Sequence, residues 1–251
     1  TLLVERGRRV SYAELDRMAN RCAHLFRRCG IGNGDRVVIA LENGAEMIAA
    51  YFGVMKAGGV AVPLPAGPRS DRLPAALTDC SPRAVVVDDA TARTPGQGGI
   101  FAGVPHVFAL ARAPLLEPFV DFVAALDGCS DASVGHQGTD AELAAIIYTS
   151  GSTGEPRGVM LSHRNLVTNA QSILAYLHLT AADRVMCVLP FSYVYGLSLL
   201  HTHVAVGGSL VIENRAAFPN VVLASMADYA ATGFAGVPST FALMLHRSNL
   251  D

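Results

Sequence analysis

Hydrophobic and polar positions along this chain follow two periods, one typical of strands and one typical of helices. In the first third, short apolar runs bounded by polar or glycine residues have the length of buried strands. These runs are Arg36–Leu41, Val60–Leu64 and Ala84–Val87. Apolar residues spaced three and four apart predict helices at 11–29, Gly44–Ala57 and Leu73–Asp79. Strands that alternate with helices favour an α/β fold, with parallel sheets flanked by helices.

The middle of the chain has weaker patterns. Thr91–Gly103 is rich in Gly, Thr and Pro and is interpreted as a surface loop. His106–Leu110 is a predicted strand and Phe119–Leu126 a predicted helix. Asp127–Asp140 is polar and contains glycine, so we interpret it as a connector between two halves of the chain.

Regular alternation resumes after residue 140. The predicted strands are Leu143–Tyr148, Arg184–Leu189, Ser209–Ile212 and Phe234–Val237. The predicted helices are Ser162–Leu177, Leu197–Val206, Val221–Ala231 and Thr240–Arg247. We therefore expect two α/β subdomains, residues 1–135 and residues 136–251.

Composition narrows the class of protein. Apolar residues make up 51% of the 251 positions and charged residues 16%, which suits a buried core rather than a disordered chain. The net charge of −2 gives no electrostatic basis for binding nucleic acid or an anionic membrane. Five scattered cysteines without a Cys-x-x-Cys pair indicate neither a disulfide framework nor a zinc site, so we expect a reducing cytoplasm. No apolar run reaches the roughly 18–20 residues that span a bilayer.

The most informative segment is a run in which every residue from 149 to 154 is Gly, Ser or Thr, followed by Glu, Pro and Arg. Small residues let backbone N–H groups approach a polyphosphate closely, and hydroxyl and guanidinium groups add donors. We interpret the run as an ATP-phosphate loop. Its candidate ligands are Thr149, Ser150, Gly151, Ser152, Thr153, Gly154 and Arg157. The spacing is not that of a Walker A loop. A flexible linker is the alternative, but a hydrophobic run before the segment and a predicted helix after it oppose that interpretation.

Residues 149–158 resemble the signature of adenylate-forming enzymes, the family of acyl-CoA synthetases, peptide-synthetase adenylation domains and luciferases. Arg157 stands where that signature usually has Lys. The resemblance implies ATP-dependent conversion of a small-molecule carboxylic acid to acyl-AMP, with Mg²⁺. It further implies transfer of the acyl group to a thiol, either coenzyme A or the pantetheine of an acyl carrier protein.

Two further segments resemble the acyl pocket of this family. Residues 190–196 contain Phe191, Tyr193 and Gly196, and residues 236–240 contain Val237 and Pro238. Flat aromatic surface suits an organic tail, and Gly196 is expected to leave room for it. An ordinary aromatic core cluster is the alternative interpretation.

Two departures from the family pattern concern the substrate. Ser192 stands where amino-acid-activating relatives place an Asp that pairs with the ammonium group, which disfavours amino acids. Tyr193 stands where many acyl-CoA and aryl-CoA ligases have a His.

A metal pair at His201 and His203 is disfavoured, because residues two apart on a helix do not share a face.

By resemblance, several expected segments lie beyond residue 251. They are an aromatic-Gly-x-Thr-Glu run, an Asp for the ribose, a hinge, and a C-terminal lobe with a catalytic Lys. We therefore expect an incomplete large N-terminal domain that is nearly inactive alone. Two alternatives remain open: an acyl-AMP ligase that loads a carrier protein, and a non-catalytic module that binds nucleotide or a partner.

Overall fold

The computed structural model describes residues 2–5, 7–68, 72–111, 115–135, 138–150 and 156–249. The helices are α1 (Tyr12–Arg28), α2 (Ala45–Ala57), α3 (Arg72–Cys80), α4 (Asp89–Arg93), α5 (Phe122–Leu126), α6 (His163–Leu177), α7 (Val194–Val206), α8 (Pro219–Asp228) and α9 (Pro238–Arg247). The strands are β1 (Leu3–Glu5), β2 (Arg8–Val10), β3 (Arg36–Ala40), β4 (Val60–Pro63), β5 (Ala84–Asp88), β6 (His106–Leu110), β7 (Val120–Asp121), β8 (Leu143–Ser150), β9 (Pro156–Ser162), β10 (Arg184–Cys187), β11 (Ser209–Ile212) and β12 (Gly233–Ala235). The predicted α/β fold, with mostly parallel sheets flanked by helices, is confirmed.

Residues 13–166 form one compact unit around a seven-stranded sheet. Its strand order is β7-β6-β5-β3-β4-β8-β9, and every neighbouring pair from β7 to β8 is parallel. The last strand, β9, is antiparallel to β8. The carboxyl ends of six strands therefore meet at one edge of the sheet, and the turn from β8 to β9 leaves that edge.

Residues 1–12 and 167–251 form the other compact unit. Its five-stranded sheet has the order β12-β10-β11-β1-β2, in which β2 alone of these strands runs antiparallel to its neighbour. Tyr12 anchors the start of the chain in this unit, because its hydroxyl lies 3.0 Å from the carbonyl oxygen of His203 and 2.9 Å from that of Gly208.

These compact units do not coincide with the predicted division at residue 135. The strand that opens residues 136–251, β8, pairs with β4 in the first sheet, whereas β1 pairs with β11 in the second. The predicted connector also lies inside one unit. Asn20 donates to the carbonyl oxygen of Asp131 at 2.9 Å, and Arg27 donates to that of Val134 at 2.8 Å, so α1 holds the middle of this segment.

The core of the seven-stranded unit is formed by buried aliphatic side chains on both faces of the sheet. α2 is buried on almost every side, as its nearly continuous apolar sequence leads one to expect. It packs against α1 at Gly53, where a Cβ would lie 2.4 Å from Cys22 Cβ. The glycine thus permits a close helix–helix contact that a larger residue would prevent.

Two local interpretations made from the sequence are wrong. The predicted surface loop at 91–103 contains α4 and a 3₁₀ helix at Gln97–Phe101, and Phe101 is 2% exposed. Phe101 packs edge-on against Phe119, with ring centroids 5.4 Å apart. The predicted helix at Phe119–Leu126 begins instead at Phe122, because Asp121 caps it by accepting hydrogen bonds from the backbone N–H groups of Val123 and Ala124.

Four short or exposed strands were not predicted. One of them, β7, lies within the range predicted as a helix. β1 and β2 have three residues each, too few for a periodic pattern, and they form by pairing with residues distant in sequence. β9 occupies the stretch that the sequence suggested as the tail of a loop leading directly into a helix. α6 then begins at His163, where Ser162 and Asn165 cap it reciprocally.

Among the described residues, no helix is both long and apolar enough to cross a membrane.

Burial in α7 predicts an acid-sensitive free energy of unfolding. Burial lowers the pKa of His201 to about 4 and also lowers that of His203. In the unfolded chain the pKa of a histidine is about 6.5. At pH values near and below this pKa, the unfolded chain therefore binds more protons than the folded one. Stability should be complete above about pH 6.5. It should fall by up to roughly 1.4 kcal/mol per pH unit because of His201 as the pH drops toward 4, with a further loss from His203.

Urea unfolding at pH 7.5, 6 and 5 measures this dependence. His201→Gln should reduce the pH dependence of the free energy of unfolding, whereas the exposed substitution His246→Gln should leave that dependence unchanged. An unaltered pH dependence in the His201→Gln variant would contradict the assignment.

Candidate functional site

The predicted phosphate loop joins two antiparallel strands, β8 and β9. Thr149 pairs with Arg157 and Ser150 pairs with Pro156, so these are the last two cross-strand pairs between β8 and β9. Side chains of directly opposed residues in an antiparallel pair point to the same face of the sheet. Thr149 and Arg157 therefore present a hydroxyl and a guanidinium on one face, at the base of the loop.

Arg157 is exposed, and no hydrogen bond or ion pair joins its guanidinium to another described residue. Arg164, by contrast, makes two contacts of 2.9 and 2.8 Å with the carboxylate of Asp140. The donors of Arg157 are thus available to an anion. The other predicted loop residues, Gly151, Ser152, Thr153 and Gly154, lie outside the described residues.

The stem of this hairpin is fixed by a residue that the sequence did not suggest. Tyr148 is 2% exposed, and its hydroxyl donates a hydrogen bond of 2.5 Å to Asp79 Oδ2 on α3. Burial, together with this hydrogen bond, raises the pKa of the Tyr148 hydroxyl, so it remains a donor at neutral pH. The two residues are far apart in sequence, and no local pattern links them.

The segments predicted to line the acyl pocket leave one edge of the five-stranded sheet. Residues 188–196 follow β10 and residues 236–240 follow β12, and these strands are parallel neighbours. The carboxyl ends of parallel strands meet at the same edge, which is the usual ligand-binding edge of an open α/β sheet. The fold therefore brings Phe191, Tyr193, Val237 and Pro238 to that edge.

The aromatic residues at this edge differ in exposure. Phe191 is fully buried, whereas Tyr193 is 42% exposed and Tyr195 is 47% exposed. Val237 is 41% exposed and precedes α9. A buried ring with exposed aromatic and aliphatic surface beside it can accommodate an apolar tail.

The expected role of Gly196 is not supported. A Cβ added at this position would lie 2.2 Å from the carbonyl oxygen of Pro190 and 2.8 Å from that of Leu189. The missing side chain makes room for the chain's own backbone rather than for a ligand. Gly196 lets the first turn of α7 pack against the segment that leaves β10.

Ser192 is 6% exposed, and its hydroxyl oxygen has no hydrogen-bond partner among the described residues. An unpaired buried hydroxyl costs about 1–3 kcal/mol relative to a hydrogen-bonded one. Ser192 lies between Phe191 and Tyr193, within the predicted acyl segment. Its free hydroxyl is therefore an available polar group at that place.

The described residues contain no cluster of three or more His, Cys, Asp or Glu side chains that could hold a metal ion. We therefore assign none of the described residues to Mg²⁺. His203 is 3% exposed, and its Nδ1 lies 2.9 Å from the carbonyl oxygen of Leu199, so this nitrogen is engaged within α7.

A cavity of about 440 Å³ in the seven-stranded unit is lined by residues that belong to neither predicted segment. Asp35, Arg83 and Pro105 line it, and they immediately precede β3, β5 and β6. It therefore lies at the amino-terminal edge of the seven-stranded sheet, whereas the loop after β8 leaves the carboxyl-terminal edge.

Comparison with known proteins decides the family. Residues 1–251 match the AMP-binding enzyme family. The chain belongs to this family. A linear gramicidin synthase of Brevibacillus parabrevis is 34% identical over 216 residues, which cover 85% of this chain and 2% of that protein. A putative acyl-CoA synthetase of Bacillus subtilis (strain 168) is 27% identical over 98% of this chain and 49% of its own length.

The solved structures agree with this assignment to the AMP-binding family. ATP-bound MatB from Rhodopseudomonas palustris is 31% identical and superimposes with a TM-score of 0.83, covering 98% of this chain and 48% of MatB. The chain thus spans about half the length of these two AMP-binding proteins, MatB and the putative acyl-CoA synthetase. The family includes acyl-CoA synthetases and peptide-synthetase adenylation domains, so membership leaves the substrate and the acceptor open.

The close approach at Gly196 predicts a large effect of one methyl group. Gly196→Ala should destabilise the fold by about 1–3 kcal/mol or more, because the Cβ would collide with backbone oxygens that cannot rotate away. Gly233→Ala is the matched control, since a Cβ there would meet no atom within 4 Å. Denaturant midpoints measure both effects, and wild-type stability in Gly196→Ala would contradict the geometry.

Proposed function

We propose that this chain forms the ATP-binding and acid-binding part of an enzyme that converts a carboxylic acid to acyl-AMP and then transfers the acyl group to a thiol. One observation carries the proposal. A family match over the whole chain coincides with a pair of strands that presents Thr149 and Arg157 on either side of the Gly-, Ser- and Thr-rich sequence, with Arg157 unpaired among the described residues.

The chemistry of the hairpin supports binding of a triphosphate. Arginine donates two parallel hydrogen bonds to phosphate oxygens and stays charged at any working pH. Backbone N–H groups and hydroxyls of residues 149–154 would complete the cradle. Arg157 keeps the charge of the usual Lys but has a planar fork instead of a point charge, which favours contact with two oxygens at once.

The acid-binding role rests on the segments at the edge of the five-stranded sheet. In this proposal Tyr193, Val237 and Pro238 supply the walls of the acyl pocket, and the fully buried ring of Phe191 supports them from within the core. Gly196 contributes indirectly, by allowing α7 to start close to residue 190. The exposed surface of Tyr193 and Val237 is where an organic tail would be removed from water.

Ser192 supports a carboxylic acid without an amino group as the substrate. A buried ammonium needs a carboxylate partner, and a serine hydroxyl cannot neutralise it. Similarity to a linear gramicidin synthase does not override this, since the two chains are only 34% identical. The unpaired hydroxyl of Ser192 could instead hydrogen-bond a neutral polar group on the substrate.

Coenzyme A is the acceptor that we favour, because 98% of this chain aligns with a putative acyl-CoA synthetase. A carrier-protein pantetheine is the second candidate, and the 34% identity to a linear gramicidin synthase favours it. ATP would enter as its Mg²⁺ complex. Because the chain spans only about half the length of MatB and of the putative acyl-CoA synthetase, we expect it to bind nucleotide alone but to catalyse poorly.

Arg157 can be tested by direct titration of the 251-residue chain with MgATP. Arg157→Ala should weaken binding roughly tenfold or more, because a charge-assisted hydrogen bond to phosphate is lost. Arg157→Lys should lose less affinity than Arg157→Ala, since the charge is retained while the second parallel hydrogen bond is lost. Arg93→Ala, which removes a partly exposed arginine paired with Asp89, is the control and should not change the affinity.

ATP–pyrophosphate exchange tests the reaction and the substrate class. The assay compares the 251-residue chain with a longer natural protein that contains it, using short, long and aromatic acids and α-amino acids. We expect exchange by the longer protein with one class of plain acid, and none by the 251-residue chain. Exchange supported best by an amino acid would contradict the role given to Ser192. Nucleotide binding without exchange in the longer protein would favour a non-catalytic module.

A further inference from the structure

Both ends of α3 contact Tyr148, the last buried residue of β8 before the loop. Near the start of the helix, Arg72 Nη1 donates to the carbonyl oxygen of Tyr148 at 3.3 Å. Near its end, Asp79 accepts the hydrogen bond from the Tyr148 hydroxyl at 2.5 Å. One residue of the hairpin is therefore held at its backbone and at the tip of its side chain by the same helix.

The ring of Tyr148 extends from β8 across to β9. Gly158 is the cross-strand partner of Tyr148, and a Cβ at that position would lie 3.3 Å from Tyr148 Cζ and 2.8 Å from Ile146 Cγ2. Gly158 thus leaves the space that the phenol ring and Ile146 occupy. Because β9 lies at the edge of the sheet, with β8 as its strand neighbour, this contact helps to hold the two strands together.

The pair formed by Tyr148 and Gly158 is adjacent to the pair formed by Thr149 and Arg157. Successive pairs in an antiparallel ladder point to opposite faces, so Tyr148 points away from the face that carries Arg157. Tyr148 therefore would not touch a ligand bound on the face that carries Arg157. A shift of β9 against β8 would move Arg157 to the wrong face.

We propose that Asp79 is a positioning residue for the phosphate loop: through Tyr148 it fixes the register and orientation of the hairpin that presents Thr149 and Arg157. This inference deepens the proposed function and rests on it. The alternative is that the Asp79–Tyr148 hydrogen bond stabilises the fold in general, without a specific effect on nucleotide.

Four variants separate these two roles. Tyr148→Phe keeps the ring and removes the hydroxyl, and Asp79→Ala removes the acceptor. Asp79→Asn keeps an acceptor oxygen and is the conservative rescue. Tyr12→Phe is the matched control, because it removes a hydroxyl whose partners are backbone oxygens in the other compact unit.

The measurements are the dissociation constant for MgATP and the melting temperature of the 251-residue chain, together with amide exchange at residues 157–162. We expect Tyr148→Phe and Asp79→Ala to weaken MgATP binding about three- to tenfold and to speed exchange in β9. Asp79→Asn should recover most of the affinity. Tyr12→Phe should lower the melting temperature without changing the dissociation constant. In the longer protein, Tyr148→Phe should raise KM for ATP more than KM for the acid.

The outcomes separate the inference from the proposed function. Equal MgATP affinity in Tyr148→Phe and wild type, within about twofold, would overturn the inference and leave the proposed function intact. An equal loss of affinity in Tyr12→Phe would overturn it as well, since the effect would then be general destabilisation. A wild-type chain that fails to bind MgATP would contradict the proposed function itself, and faster exchange in β9 would then show a structural role alone.

Discussion

The parallel pairing of β4 with β8 joins the first strand–helix–strand segment of the chain to the hairpin that follows it much later in sequence. Its register places Ala61 opposite Ala145, and both are fully buried. This pairing sets the direction of β8, and the direction of β8 decides at which edge of the sheet the turn to β9 lies. The loop, the antiparallel edge strand and the contacts of α3 with Tyr148 all depend on that geometry.

The same principle operates in the five-stranded sheet. Because β10 and β12 are parallel neighbours, the two segments that follow them emerge together although about fifty residues separate them in the sequence. Each unit thus places its candidate functional segment at the carboxyl edge of a parallel sheet. The proposed chemistry requires a phosphate cradle and an apolar pocket, and each of these two edges carries the segment that we propose for one of them.

Much of this fold could be predicted from the sequence, because buried parallel strands and amphipathic helices have local patterns. The helices α2 and α6 and the strand β11 lie within a residue or two of their predicted bounds. β9 could not be predicted, since Val159 and Met160 are both exposed and the strand shows no alternation. Phe101 illustrates another limit: its burial depends on Phe119 and not on its glycine-rich neighbours.

In the candidate site, too, some residues have a local sequence pattern and others are defined only by contacts between distant residues. Composition alone indicated the phosphate loop, because small residues and hydroxyls have a direct chemical meaning there. Asp79 could not be found in that way, since its relation to Tyr148 is purely spatial and an exposed aspartate near a helix end is ordinary in sequence. Gly196 was noticed in the sequence for the wrong reason: the space above its Cα belongs to the carbonyl oxygen of Pro190.

That carbonyl oxygen limits how the acid selectivity that we propose could change in descendants of this chain, whether natural or engineered. In many enzymes a glycine beside a pocket is the first position at which a larger side chain shortens the space for a substrate tail. Here the backbone opposes that route, so diversity in a mutant library would arise more easily at the exposed positions 193 and 237. Most folded members of such a library would keep glycine at residue 196.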